Sequence, residues 1–213
     1  MLTTGHIFSI SDDYLPVPGC TISGELIRGA TIFSLAEGTD ISAESYPVPV
    51  MHYELSGKAT LIFKDTQKVS EVRSGQVIIK NAESNIGIKA DIDNVYVEIP
   101  IRKEDTMNNI IKAGQVFTLK DLVPYKDDKI VNMDLINNDT MKFVVMSFDK
   151  GCALSEHAAP RDAVVFALDG EGIIGYEGKE YRIKAGESFY FAKGGLHSVK
   201  AQERFKMALL LSL

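Results

Sequence analysis

The chain has 213 residues, 45% hydrophobic and 24% charged, a composition that excludes a disordered chain and suits one large domain or two of roughly 100 residues. Its 29 acidic and 23 basic side chains give a formal charge of −6, and without a basic cluster this argues against a nucleic-acid partner or an anionic membrane surface. No apolar run is long enough to span a bilayer and the start carries no leader-like region, so a cytoplasmic protein is expected, with Cys20 and Cys152 as reduced, buried thiols.

In chain order, His6 reads as a surface residue. There follow short runs with strand lengths and strand periods, ATIFSLA, VMHYELSG, ATLIFKD, GQVIIKN and NVYVEIPI, separated by Gly, Asn, Asp and Lys turns. His52 in VMHYELSG shares parity with Val50 and so faces the inside of its barrel. With no carboxylate in register it reads as a core histidine. From Asp105 to Ala113 a helix signal appears, with Thr106 as cap, Ile110 and Ile111 within and Gly114 as stop. Strand-like runs then resume with KFVVMSF, AVVFALDG, GIIGYEG, YRIKAG, ESFYFAK and FKMALLLSL, and Tyr176, Glu177 and Gly178 read as a hairpin turn.

The chain is written twice. Gly38 and Gly57 bound a segment that returns 113 residues later between Gly151 and Gly170, while Gly75 returns as Gly186 at an offset of 111. Two residues therefore separate the copies within one hairpin, where length changes are tolerated. The expected organisation is an all-β chain with an N-terminal barrel over residues 1–104, a linker with helix signals over 105–114, and a C-terminal barrel over 115–213.

The second copy carries a spaced pattern: Gly151, five residues, His157, a Pro-containing loop, a strand and Gly170, then Gly186, five residues, Ala192, Gly194 and His197. This resembles the two signature motifs of the cupin superfamily, G, five residues, H-x-H, three or four residues, E, six residues, G, and G, five residues, P-x-G, two residues, H. The resemblance implies two tandem double-stranded β-helix (jelly-roll) barrels, a bicupin. The stretch EHAAPRDAVVFALDGEG looks most like a subgroup of small cupins with EHxxPxDA in place of H-x-H.

Against that motif the sequence keeps two of four metal ligands, since Ala159, Ala163 and Ala192 replace the second histidine, the glutamate and the proline. The first copy keeps none, with Glu44, Tyr46, Val50 and Ile86 at the four ligand positions, and its expected role is structural.

Strand alternation puts Ala163, Val165 and Ala167, with Phe189 and Phe191, inside the second barrel as a mostly apolar ligand pocket below His157 and His197. Three readings follow. A small-molecule-binding bicupin uses the two histidines, with a third ligand from Glu156 or Asp162 if a divalent Zn, Fe, Mn or Ni ion is held. A metal-dependent enzyme, an oxygenase or an isomerase/epimerase, is the first alternative, with His157 or His197 as general base and Asp162 or Tyr181 as orienting partner. A purely structural or interaction protein is the second. The resemblance also implies a homodimer as a candidate assembly.

Overall fold

The computed structural model describes residues 2–102, 106–107, 111–137 and 139–212. They divide between two compact units, one of Ser11–Asp105 with Asn109–Thr118, the other of Met1–Ile10, Thr106–Asn108 and Leu119–Leu213. Among the described residues no helix is long and apolar enough to cross a membrane.

The first unit begins with strands β1 (Thr21–Ile27), β2 (Ala30–Leu35), β3 (Asp40–Glu44), β4 (Val50–Ser56) and β5 (Lys58–Phe63). It continues with β6 (Lys68–Arg73), β7 (Gln76–Lys80), β8 (Ile86–Ala90) and β9 (Asn94–Pro100). Strand β10 (Thr106–Met107) belongs to the second unit and β11 (Val116–Thr118) to the first. The first unit's two antiparallel sheets run β1-β2-β9-β4-β7-β11 and β3-β8-β5-β6. Between them lies a core that includes Leu35, Leu61, Ile78, Ile88 and Tyr96.

The second unit repeats this plan with β12 (Ile130–Asn137), β13 (Met141–Phe148), β14 (Ala153–Ala158), β15 (Asp162–Tyr176), β16 (Lys179–Lys184), β17 (Ser188–Phe191), β18 (Leu196–Lys200) and β19 (Phe205–Ser212). Strand β15 pairs β17 and β19 through its first half and β16 and β18 through its second, so one long strand serves both sheets. Its core includes Phe148, Val165, Phe189, Phe191 and Phe205.

The repeat holds at the level of the hydrogen-bond ladders. Irregularities fall between Ile41 and Glu44 in β3 and between Leu154 and His157 in β14, and again between Glu54 and Ser56 in β4 and between Ala167 and Asp169 in β15. The two-residue difference lies in one hairpin: Phe63 pairs with Lys68 across four loop residues, Tyr176 with Lys179 across two. Gly57 and Gly170, at φ of 77° and 68°, press on matching backbone: an added Cβ would stand 2.0 Å from the Asp93 carbonyl oxygen in one barrel and 1.9 Å from that of Arg204 in the other. Only a residue without Cβ fits such an approach.

Three expectations need correction. The unit boundaries differ from 1–104, 105–114 and 115–213, because Val116–Thr118 pairs with β7 of the first barrel while Phe8 bridges Ser188 of the second. Each of these short segments completes the open edge of a sheet, which a composition-based boundary cannot register. Of the helix expected from Asp105 to Ala113, residues 105 and 108–110 lie outside the described residues, and none of the other five is helical: Thr106 pairs with Asn137 in a β-ladder rather than capping a helix. The cysteines are free, but Cys20 is exposed and Cys152 half-buried.

Candidate functional site

His157 and His197 come from β14 and β18 and stand directly opposite each other in that ladder, with ring centroids 4.2 Å apart and planes tilted by 51°. The irregularity just before His157 sets its side chain on the same side as its partner, as a bulge re-aims a strand residue. His157 is exposed and His197 is 6% exposed. The His197 ring stacks on Phe191 at 4.2 Å, and Phe191 in turn meets Phe189 and Tyr176 at 5.1 and 5.7 Å.

Each imidazole is oriented by the carbonyl two residues earlier. Nδ1 of His157 lies 2.8 Å from the Ser155 oxygen and Nδ1 of His197 lies 3.3 Å from the Gly195 oxygen. A carbonyl only accepts, so both Nδ1 atoms carry the proton and Nε2 is the nitrogen left to a ligand. Burial lowers the pKa of His197, the charge of His157 lowers it further, and the bond to Gly195 opposes both. His197 is thus neutral at pH 7, and its Nε2 presents a lone pair.

The five residues expected inside this barrel, Ala163, Val165, Ala167, Phe189 and Phe191, are at most 5% exposed and belong to a single apolar cluster. Across the β15–β19 ladder Ala163 faces Leu211 and Val165 faces Leu209, and both leucines stay only partly buried while packed on that cluster. Two leucines packed on the apolar interior thus keep some solvent exposure.

The orienting partners proposed from sequence are not the ones found. Asp162 accepts the Lys193 backbone N–H at 2.8 Å, and the Tyr181 ring packs on Phe189 at 5.2 Å. Backbone carbonyls do the orienting, and no side-chain pattern could have announced them. The metal expectation meets the same difficulty. Among the described residues no group of three or more His, Cys, Asp or Glu side chains is placed to hold a metal ion, so neither Glu156 nor Asp162 completes a set with the two histidines. A donor set of two imidazoles, with alanine at the other ligand positions, does not fit a resident divalent ion.

Residues 144–212 match the cupin domain family. Over its full length the chain is similar to a cupin 2 conserved barrel domain protein from Leptotrichia buccalis, at 26% identity and a TM-score of 0.85, covering 100% of this chain and 98% of that one. The chain folds as two cupin-type barrels. More remote cupin-fold structures include a variant of salicylate 1,2-dioxygenase from Pseudoaminobacter salicylatoxidans, at 10% identity and a TM-score of 0.65, covering 97% of this chain and 83% of that one. The same enzyme with gentisate adducts aligns at 9% identity and a TM-score of 0.63, covering 97% and 80%. At such identities the likeness is one of fold alone. No curated protein matches this chain in sequence.

The N-terminal barrel holds what the sequence reading missed. His52 is buried, as expected, but carboxylates do stand in register with it: Glu98 faces it across the β4–β9 ladder, and Glu54 lies two residues along its own strand, 2.9 Å away. The parity of His52 and Glu54 was visible in VMHYEL. The partnership with Glu98 needed the strand order.

Proposed function

We propose that the C-terminal barrel binds a small, largely apolar molecule through an acidic O–H or N–H group presented to the His157–His197 pair, without a resident metal. The observation that carries this reading is the 4.2 Å pairing of two imidazoles whose Nδ1 atoms are both committed to carbonyls, with His197 stacked on Phe191 of the apolar cluster. A neutral Nε2 accepts a hydrogen bond, and the apolar cluster beneath takes the ligand body. A metal-dependent oxygenase or isomerase is the weaker reading, because its ion would lack a third protein ligand.

The test uses phenol, a weakly acidic O–H on an apolar ring, titrated into untagged protein while imidazole nitrogens are followed by NMR. Saturable shifts at the imidazole nitrogens of both His157 and His197 are expected, with the shift of the remaining imidazole abolished in each of the folded single variants His157→Ala and His197→Ala. Shifts that persist in both variants, or none in the parent, would sink the proposal. Stoichiometric metal in protein purified without chelating tags would return the metal-dependent reading to first place.

A further inference from the structure

The free edge of the first barrel differs from its counterpart in the second. Strand β1 ends its sheet, paired with β2 on one side and with no strand on the other among the described residues. An edge of this kind is a template for one more strand. The corresponding edge strand, β12, does receive one: β10 pairs with it at Ile136 and Asn137.

The two edges align through their bulges, between Glu25 and Ile27 in β1 and between Asp134 and Ile136 in β12. In this alignment Ile22 faces Ser34 as Val131 faces Ser147, and Gly24 faces Ile32 as Met133 faces Val145. Met133 is half-buried at its position, whereas nothing stands within 4 Å of a Cβ added to Gly24. The first barrel therefore has an open notch where the second carries a methionine side chain.

Beside the notch stands Ile22, on the same face because residues two apart along a strand share one, and it is 39% exposed. Leu15 and Val17, in the segment leading into β1, are exposed as well. These are three of the six exposed large hydrophobic residues among those described, so apolar exposure concentrates at this edge. An apolar knob next to an empty notch, two residues apart on one strand, is complementary to its own copy turned around.

We propose that β1 is a homodimer edge, which pairs antiparallel with β1 of a second copy about a two-fold axis at Ser23 and seats Ile22 of each copy over Gly24 of the other. A two-fold axis makes the contact reciprocal, so both knobs and both notches are used. Centring the ladder on Ile22 or on Gly24 instead would set Ile22 against Ile22 or Leu26 and leave the notches empty. The register at Ser23 also sets Glu25 opposite Thr21. The two Glu25 carboxylates then lie about 13 Å apart along the strands, beyond a Debye length at physiological salt. A ladder centred on Glu25 would put like charges directly opposite, which destabilises a sheet. The bulge after Glu25 confines the ladder to residues 21–25. So short an interface is weak, and the dimer is concentration-dependent. This edge belongs to the first barrel, and its pairing stands or falls independently of the imidazole pair in the second.

Sedimentation of the full chain from low to high micromolar concentration should show a monomer giving way to a dimer. Ile22→Lys puts a charge on each knob at an exposed position, and Gly24→Met fills each notch with the residue that the second barrel carries. Both variants should stay folded and sediment as monomers. Ser23→Cys tests the register, in a Cys20→Ser background that removes the exposed native thiol. It places two thiols on the axis, where opposed residues of antiparallel strands have Cα atoms about 4.5–5.5 Å apart, within disulfide reach. Mild oxidation should link Ser23→Cys into a dimer and leave Thr21→Cys, which faces Glu25 rather than itself, unlinked. A parent that is monomeric throughout, a dimer retained in either Ile22→Lys or Gly24→Met, or equal cross-linking of Ser23→Cys and Thr21→Cys would each overturn the proposal.

Discussion

His197 stands opposite His157 across the β14–β18 ladder with the two ring planes tilted by 51°, and one ring of the pair is buried against Phe191 while the other meets solvent. The difference in burial gives the two imidazoles different titration behaviour. The pKa of His197 is lowered from 6.5, first by burial and then by the charge of His157. In the unfolded chain it returns to about 6.5, so the unfolded state binds more protons as pH falls through that value. His197 therefore weakens the fold on acidification and is neutral in effect above about pH 7. NMR titration should find His197 below 6.5, with His157→Ala moving it upward. A value at or above 6.5 in the parent would contradict the assignment of its neutral Nε2.

The missing metal set can be rebuilt at positions that the motif resemblance names. Ala159 is 3% and Ala163 2% exposed, and both belong to the cluster beneath the imidazole pair. Ala159→His with Ala163→Glu should convert a barrel with two nitrogen donors into one with four ligands, and each added ligand raises affinity. Equilibrium dialysis against Zn²⁺ should leave the parent without stoichiometric metal and the double variant with about one ion per chain. Equal retention by both would show that two imidazoles suffice.

Gly170 tests the shared construction of the barrels. At φ 68°, an added Cβ would stand 1.9 Å from the Arg204 carbonyl oxygen, so Ala at this position incurs both left-handed strain and a clash with backbone. The strain alone costs about 1–2 kcal/mol, and the clash adds to it. Gly24 has nothing within 4 Å of an added Cβ and no positive φ. Thermal melts should show Gly170→Ala strongly destabilised and Gly24→Ala close to the parent. Similar melting temperatures for the two would mean that β15 relaxes around the new methyl.

Much of the fold was legible because the repeat is a local property. Gly57 and Gly170, the alternation of Ala163, Val165 and Ala167, and the two-residue hairpin difference all lie within short windows of sequence. The meeting of His157 with His197 was legible only through the motif resemblance, which supplied the strand pairing. What escaped depended on partners distant in sequence. Glu98 sits in NVYVEIP, 46 residues beyond His52, and their pairing follows from β9 lying beside β4, with the irregularity at Glu54 setting the register further along that ladder. Phe8 and Val116–Thr118 are too short to carry a period, so their places at the edges of β17 and β7 had no sequence signal.

The charged interior of the N-terminal barrel, a buried chain of Glu54, His52, Glu98 and Lys80 in order of contact, makes a paired prediction of opposite sign. Lys80→Met removes one member of the chain and leaves Glu98 buried with only His52 nearby to balance it, at 3.7 Å. Breaking a buried pair in this way costs about 3–5 kcal/mol. Replacing all four members by the residues at the corresponding ladder positions of the C-terminal barrel, His52→Val, Glu54→Ala, Lys80→Phe and Glu98→Leu, leaves none of these charges stranded and should be neutral or stabilising by about 1–4 kcal/mol. Chemical denaturation of the two variants decides it. If the fourfold variant is the less stable of the two, the charged chain is itself a source of folding energy.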